Sequence, residues 1–161
     1  MAVDYFLKID GIEGESADSK HKGEIDILSW SWGATQTGSM SYGGGGGAGK
    51  VSMQDFHFTM RVNKASPKLM LACATGKHIG SATLLARKAG EQPLDFFKLT
   101  FSDLLISSYQ TGGSGSGDEV PIDSISFNYS KIKFEYQEQD AKGTGKGFIP
   151  ATYNLKENKS E

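Results

Sequence analysis

The stretch that decides the fold is Glu24-Ile-Asp-Ile-Leu-Ser-Trp-Ser-Trp-Gly33. Successive side chains of a β-strand point to opposite sides, so this stretch sorts into two sets. The bulky set is Leu28, Trp30 and Trp32, and the small set is Ser29, Ser31 and Gly33. Because an aromatic side chain buries about 150–250 Å² of surface, we predict that the bulky set faces a core. The small set is then predicted to form a smooth, solvated surface.

Alternation with a period of two recurs through most of the chain and predicts further strands. The opening strand places four apolar side chains on one side, namely Val3, Tyr5, Leu7 and Ile9. The other predicted strands are residues 55–62, 81–88, 94–104, 105–110, 122–138 and 152–155. Within residues 122–138 the apolar positions change parity. That change predicts either a bulge near Ser130 or a strand buried on both sides.

One segment has the pattern of a helix. Ser66 is predicted as the N-cap, Pro67 suits the first helical position, and Gly76 ends the helix. The side chains predicted to share one face are Leu69, Met70 and Cys73. We interpret Cys73 as a small buried hydrophobic residue rather than a nucleophile.

These elements predict a mainly β protein, a barrel or sandwich of short antiparallel strands with one flanking helix at about residues 66–76. A chain of 161 residues buries about 70% of its unfolded surface, which is enough for a core without disulfides or metals. We therefore expect a single domain over residues 1–161.

Composition excludes several function classes. The net charge of −2 and the scattered lysines argue against nucleic-acid binding, and the single cysteine excludes an internal disulfide. No segment has the roughly 20 apolar residues of a membrane span, and the N-terminal sequence does not resemble a secretory signal peptide. We expect the protein to begin in the cytoplasm.

The glycine-rich run Ser41-Tyr-Gly-Gly-Gly-Gly-Gly-Ala-Gly-Lys50 almost matches a phosphate-binding loop. Such a loop needs Ser or Thr after the lysine and a helix beyond it. Here Val51 follows, and the next residues have the pattern of a strand. We interpret the run as a flexible arm that reaches a neighbouring surface, because consecutive glycines free the backbone.

Catalytic patterns are absent from the sequence. No G-x-S-x-G elbow occurs, and His21, His57 and His78 lie in unrelated contexts. His57 is interpreted as a surface histidine. The sequence predicts no catalytic residue, no cofactor and no metal site.

Four motifs in order resemble the haemolysin-coregulated protein (Hcp) family of the bacterial type VI secretion system. They are residues 26–33, the glycine run at 43–51, the helix at 66–78 and the segment Ala82-Thr-Leu-Leu-Ala-Arg-Lys-Ala-Gly90. The resemblance extends from Ala2 to about Tyr136 and implies a β-barrel protomer that assembles into hexameric rings. It further implies that the rings stack into a tube inside a contractile sheath, tipped by a spike protein of the valine-glycine-repeat family. Small effector proteins would occupy the channel, and export would occur without a signal peptide.

Two sets of residues are candidates for roles in such a tube. Strand parity turns Ser29, Ser31 and Gly33 outward, which makes them candidates to line the channel that the resemblance implies and to contact effectors. The alternative is that they form an ordinary solvated face. The candidate arm between subunits or stacked rings comprises Met40, Tyr42, Gly43, Gly44, Gly45, Gly46, Gly47 and Lys50.

Two alternatives stay open at this point. One is a secreted β-sandwich module that binds a ligand or a host surface through its glycine-rich loops. The other is a nucleotide-using enzyme built on the glycine run.

Overall fold

The computed structural model describes residues 2–38, 49–90, 92–117 and 120–161. Within those ranges the chain forms strands and one helix in a fixed order along the sequence. The elements are β1 (Val3–Ile9), β2 (Ile25–Asp26), β3 (Ser29–Ser31), β4 (Ala34–Gln36), β5 (Val51–Met53), β6 (Phe56–Arg61), α1 (Ser66–Thr75), β7 (His78–Lys88), β8 (Leu94–Gly112), β9 (Ile122–Gln139), β10 (Gly145–Asn154) and β11 (Lys159–Ser160). The predicted mainly β class with one flanking helix is confirmed.

The main sheet is antiparallel and closes into a barrel. Its strand order is β11-β10-β9-β8-β7-β1-β2, and β6 joins β9 on one side and β3 on the other. The segment between β2 and β3 bridges the remaining gap, because Ile27 N–H donates to the Tyr5 carbonyl (3.1 Å) and Leu28 N–H donates to the Thr59 carbonyl (2.9 Å). Strands β1 and β6 are thereby joined.

The predicted strand over residues 24–33 is two strands, and its parity changes between them. Ile25 and Ile27 are buried where the chain pairs with β1, whereas Trp30 packs against the core where the chain pairs with β6. Leu28 lies at the change of partner and is 42% exposed. The core position predicted for Trp30 and Trp32 is confirmed, and that predicted for Leu28 is wrong.

The predicted strands at 94–104 and 105–110 are one strand, β8. The buried positions of β8 and β9 change parity together at the level of Asp103 and Ser130, where Asp103 has a left-handed φ of 53°. The pairing register runs through this level unchanged, and the shift lies farther along, between Ile106 and Ser108. The bulge predicted near Ser130 is therefore wrong in position, although the parity change is real.

Helix α1 begins at Ser66, which is its first residue rather than its N-cap. The preceding Ala65 occupies the cap position, and the Ser66 hydroxyl instead donates to the buried Asp123 carboxylate at 2.6 Å. The same hydroxyl accepts the Asn63 N–H at 3.0 Å. The predicted end is confirmed, because Gly76 has a φ of 65°. A serine at this point attaches the helix to β9 instead of capping it.

One of the three residues that were predicted to face the core from α1 does not do so. Leu69 and Ala72 are buried, and Cys73 is half-buried against the core. Met70 is 48% exposed, so its predicted core position is wrong. No helix in the described ranges is long and apolar enough to cross a membrane.

The barrel is filled mainly by phenylalanine. The fully buried rings are Phe56, Phe58, Phe101 and Phe127. Trp30 stacks beside Phe56 with their ring centroids 6.1 Å apart. Interior aromatic pairs of this kind contribute packing energy beyond the area that they bury.

Strand β9 changes partner along its length. Its first part pairs with β6 and its last part pairs with β10. Strands β10 and β11, here called the flap, extend the sheet beyond the closed barrel.

Candidate functional site

The four strands β3, β6, β9 and β8 align two rows of small polar side chains. One row is Ser29, Thr59, Ser124 and Gln110, and the other is Ser31, His57, Ser126 and Ser108. We call these eight residues the hydroxyl face. The rows contain no Asp, Glu, Lys or Arg, and Ser29 and Ser31 are exposed. The result is an open surface of hydrogen-bonding groups without a fixed carboxylate or ammonium.

The opposite side of the same strands explains why this face is outward. Trp30, Phe58 and Ile125 are paired neighbours, and their side chains point into the barrel. Because side chains alternate along each strand, burial of these residues turns their serine, threonine and histidine neighbours outward.

Hydrogen bonds across the strands hold the hydroxyl face in place. The Ser29 and Thr59 hydroxyls are 2.6 Å apart. His57 Nδ1 lies 3.0 Å from Ser126 Oγ, and His57 Nε2 lies 3.2 Å from Ser124 Oγ. A hydroxyl can donate or accept, so the two serines complement either tautomer of the imidazole. Both ring nitrogens are thus occupied within the sheet.

The sequence candidates for the channel surface fall in two places. Ser29 and Ser31 lie on the hydroxyl face, whereas Gly33 lies beyond the end of β3, where its carbonyl accepts the Gln54 N–H at 2.9 Å. The sequence did not identify Ser124 and Ser126 as their neighbours. Only strand pairing brings β9 beside β6, and a single sequence with alternating polar residues carries no signal of which strands pair.

The arm candidates lie around a separate two-stranded sheet. Strands β4 and β5 pair antiparallel, with Gln36 opposite Val51, and neither joins the main sheet. Lys50 is exposed immediately before β5. The remaining arm candidates, Met40, Tyr42 and Gly43 to Gly47, lie outside the described residues.

The root of this hairpin is fixed to the barrel by a chain of hydrogen bonds. The Trp32 indole N–H donates to the Tyr129 hydroxyl, which donates to the Gln54 carbonyl at 2.8 Å. Burial raises the pKa of Tyr129 to about 12, so its hydroxyl keeps the proton that it donates. Trp32 and Gln54 flank the hairpin on its two sides, and Tyr129 belongs to β9.

The arrangement does not favour the nucleotide-site alternative. Strand β5 follows Lys50, and no helix begins there to bind phosphate. The serine–histidine pairs on the hydroxyl face lie on an open sheet, and serines rather than a carboxylate hold both nitrogens of His57. Nucleophilic serine sites need a third group that orients the base. Across the residues that the structure describes, no group of three His, Cys, Asp or Glu side chains has metal-binding geometry.

Comparison with known proteins distinguishes the tube-protein interpretation from the binding-module interpretation. A family model described as "Type VI secretion system effector, Hcp" matches residues 6–136. The chain belongs to the Hcp family. The matched range contains α1, the whole hydroxyl face and the barrel strands except for the first residues of β1 and the last residues of β9.

Full-length relatives extend the similarity beyond the matched range. Protein hcp1 of Pseudomonas aeruginosa is 46% identical over 160 residues, which is 98% of each chain. The crystal structure of Hcp1 from Salmonella typhimurium is 39% identical, covers 100% of both chains and has a TM-score of 0.80. A structure described as that of a type six secretion system protein has a TM-score of 0.94 at 33% identity, with 99% of this chain and 100% of that chain covered.

Membership of the Hcp family places this chain among the tube proteins of type VI secretion. Proteins of this family are secreted and self-associating, and the family is structural rather than enzymatic. The resemblance drawn from the four sequence motifs is confirmed, and the binding-module alternative is not favoured.

Proposed function

We propose that this Hcp chain forms hexameric rings that stack into the inner tube of a type VI secretion system, with the hydroxyl face on the channel. The observation that carries the proposal is the hydroxyl face itself, where two aligned rows from four strands present only small, uncharged or histidine side chains. Repetition of this face around a ring would give a band of uncharged hydrogen-bonding groups on the channel wall. The exposed side chains of Asp55 and Arg61, on the same side of the sheet, border this band.

Such a wall suits a channel that holds protein cargo. Ser29 and Ser31 offer hydroxyls that donate or accept, so they can bind many polar protein surfaces without selecting for one charge. Small effector proteins are the proposed occupants, and Gly33 borders the wall at the hairpin root. Direct hydrogen bonds in this setting are individually weak, which permits later release of the cargo.

The hairpin of β4 and β5 is the proposed contact between subunits or rings. It stands outside the main sheet, and among the described residues β4 and β5 pair only with each other. The outer edge of each strand therefore favours strand pairing with a neighbour. The arm that connects β4 to β5 includes Met40, Tyr42, Gly43 to Gly47 and Lys50. Ordering the arm costs about 1–2 kcal/mol per residue in conformational entropy, so a contact must offset that cost.

The proposal includes the other parts of the secretion apparatus. The tube would be tipped by a spike protein of the valine-glycine-repeat family and surrounded by a contractile sheath. The chain would be made in the cytoplasm and exported through the apparatus.

The first test is the solution mass of the purified chain, measured by light scattering over a range of protein concentrations. A mass of six protomers is the expected result. A mass of one protomer at every concentration would refute the ring and leave the family membership without this mechanism.

The position of the hydroxyl face is tested by cysteine labelling in a Cys73→Ala background. In the assembled ring, Ser31→Cys should react with a small maleimide but not with a bulky polymer-bound maleimide. The matched control is Leu71→Cys, since Leu71 is 58% exposed on α1 and should react with both reagents. Protection of Ser31→Cys from both reagents would place it in a subunit contact, and reaction with both would place it outside the channel.

The arm is tested by deleting Gly43 to Gly47. We expect weaker ring stacking with unchanged thermal unfolding of the protomer. Unchanged tube length by electron microscopy would contradict the role of the arm.

A further inference from the structure

One member of the hydroxyl face, His57, can change its charge near neutral pH. It lies directly opposite Ser31 on β3 and Ser126 on β9. Its side chain is half-buried, and serine hydroxyls lie 3.0 and 3.2 Å from its two ring nitrogens. Histidine is the side chain whose charge ordinarily changes between about pH 5 and pH 8. A change in the charge of the hydroxyl face over this range therefore comes from this imidazole.

The charged neighbours of His57 lie on its own strand, β6. Asp55 precedes it on the same side of the strand and accepts a hydrogen bond from the Ser107 hydroxyl at 2.7 Å. Arg61 follows it, beyond Thr59. The neighbours that β3, β9 and β8 contribute are the uncharged members of the hydroxyl face. Carboxylates and guanidinium groups ordinarily keep their charge over the range in which histidine titrates, so Asp55 and Arg61 supply a constant background.

A neutral imidazole makes its two serine partners unlike each other. One ring nitrogen carries a proton and donates it to a serine, whereas the other has a lone pair and accepts from a serine. The first serine keeps its O–H for another partner, and the second keeps only its lone pairs. The neutral face is thus a mixture of donors and acceptors, and it favours neither acidic nor basic surfaces.

Protonation of the ring makes the two serines alike. Both nitrogens of an imidazolium are donors, so Ser124 and Ser126 both accept from the ring. The O–H group of each serine is then left to donate away from the sheet. A carboxylate only accepts hydrogen bonds, and it is also attracted by the new positive charge. An ammonium group only donates, and the same charge repels it.

We infer that His57 sets the charge class of the protein surface that the hydroxyl face binds. Near pH 5 the face selects carboxylate-rich surfaces, and near pH 8 it accepts acidic and basic surfaces alike, these being about the limits of histidine titration. The inference rests on the proposed channel, and it adds that the cargo preference of the channel wall changes with pH.

The test measures peptide binding by the untagged parent chain. Two peptides with the same fluorophore are the probes, one of alternating aspartate and serine and one of alternating lysine and serine. Fluorescence anisotropy gives the affinity for each at about pH 5.5 and about pH 7.5, inside the histidine range. We expect the acidic peptide to bind at least about 3-fold more tightly at the lower pH, as one exposed ion pair allows, and the basic peptide to bind more weakly.

Two histidine variants show whether His57 is the group that titrates. His57→Gln keeps a hydrogen-bonding side chain that gains no proton in this range, so it should remove most of the pH dependence. His78→Gln is the matched control, because His78 is an exposed histidine whose Nε2 lies 3.3 Å from the Asp103 carboxylate, away from the hydroxyl face. It should behave as the parent chain does. Retention of the pH dependence in His57→Gln, or its loss in His78→Gln, would overturn the inference.

The part played by the serines has its own variant. Ser124→Ala combined with Ser126→Ala removes both hydroxyls and leaves the imidazole in place. It should lose at least about half of the gain in affinity at low pH, because the charge-assisted donors are gone. Thermal unfolding confirms that each variant is folded. A gain equal to that of the parent chain would overturn the role of the serines.

Light scattering on the same samples separates this inference from the proposed function. Rings that bind each peptide equally at both pH values would overturn the role of His57 alone. A parent chain that stays monomeric would overturn the ring. The comparison of the parent chain with His57→Gln would then still decide, on the monomer, whether this histidine selects charge.

Discussion

The two halves of strand β9 contain the same kind of alternating apolar sequence but have different surroundings. Ile125 and Phe127, beside β6, are fully buried, whereas Phe134 and Tyr136, beside β10, are 37% and 43% exposed. In the first half the rest of the barrel covers the apolar side. In the second half the flap extends the sheet and leaves that side open. Alternation therefore identifies the apolar side of a strand but does not show whether the chain itself covers it.

The largest expected difference between the two halves is in the cost of removing a phenyl ring. Phe127→Ala should lower the free energy of unfolding by about 3–5 kcal/mol, because it leaves a cavity in a closed core. Phe134→Ala should cost about 1–2 kcal/mol, because its ring is already partly in water. Urea unfolding of both variants under conditions that keep the chain monomeric measures the difference. Equal costs would contradict the comparison.

The covered half also holds the helix, and Ser66→Ala tests that link. The substitution removes the 2.6 Å hydrogen bond from the Ser66 hydroxyl to the Asp123 carboxylate. Among the described side chains, the Tyr109 hydroxyl, at 3.0 Å, is then the one donor left to Asp123. We expect a loss of about 1.5–3 kcal/mol, since hydrogen bonds to charged groups are the stronger ones. Ser29→Ala on the exposed hydroxyl face should change stability by less than about 0.5 kcal/mol. A smaller effect of Ser66→Ala than of Ser29→Ala in the same unfolding assay would exclude this account.

The two tyrosines of β9 provide a third comparison. Tyr129→Phe leaves the Trp32 indole N–H and the Gln54 carbonyl without their shared partner, so we expect a loss of about 1–2 kcal/mol and faster hydrogen exchange in β4 and β5. Tyr136→Phe should be neutral within about 0.5 kcal/mol. Unchanged exchange in the hairpin of Tyr129→Phe would show that other contacts hold its root.

The smallest expected effects concern ion pairs on the barrel and near the flap. Arg87 donates to both carboxylate oxygens of Asp18, at 2.7 and 2.6 Å, and this hydrogen bonding holds the pKa of Asp18 well below its ordinary value. Lys131 lowers the pKa of Glu161 in the same way. A lowered carboxyl pKa adds stability that is complete above the unfolded-state value, about 4, and is lost as the pH falls below it.

Thermal unfolding midpoints from about pH 2 to pH 7 test this ion-pair comparison. In Asp18→Asn the unfolding midpoint should fall less steeply as the pH is lowered. Glu161→Gln should reduce the fall by a smaller amount, because the Lys131–Glu161 pair lies at the C-terminal end of the chain beside the flap. An unchanged acid decline in Asp18→Asn would show that other carboxyls dominate it.

Much of the fold was predictable from local pattern. Trp30 and Trp32 had to lie on the apolar side of a strand, and Gly76 had to end the helix, because each of these features depends on near neighbours in sequence. Leu28 was misplaced because the chain changes its pairing partner there, from β1 to β6, and parity cannot be extended through such a change. Met70 was misplaced because α1 packs through Leu69 and Ala72, a rotation that depends on where the barrel lies.

The candidate site was only partly predictable for the same physical reason. The outward direction of Ser29 and Ser31 follows from the neighbouring indoles. Their association with His57, Ser124 and Ser126 depends on pairing between residues that are about 30 to 70 positions apart. No local propensity encodes such pairing, since it is fixed by closure of the whole sheet.

The hydrogen-bonded root of the hairpin has a mechanical consequence. Trp32 and Gln54 lie on the two sides of the hairpin, and both are joined to the single hydroxyl of Tyr129. A force that pulls on the hairpin is therefore delivered to β9, which pairs along its length with β6, β8 and β10. The load is spread over the longest paired region of the protein, so the hairpin can bear tension without peeling a peripheral strand from the barrel.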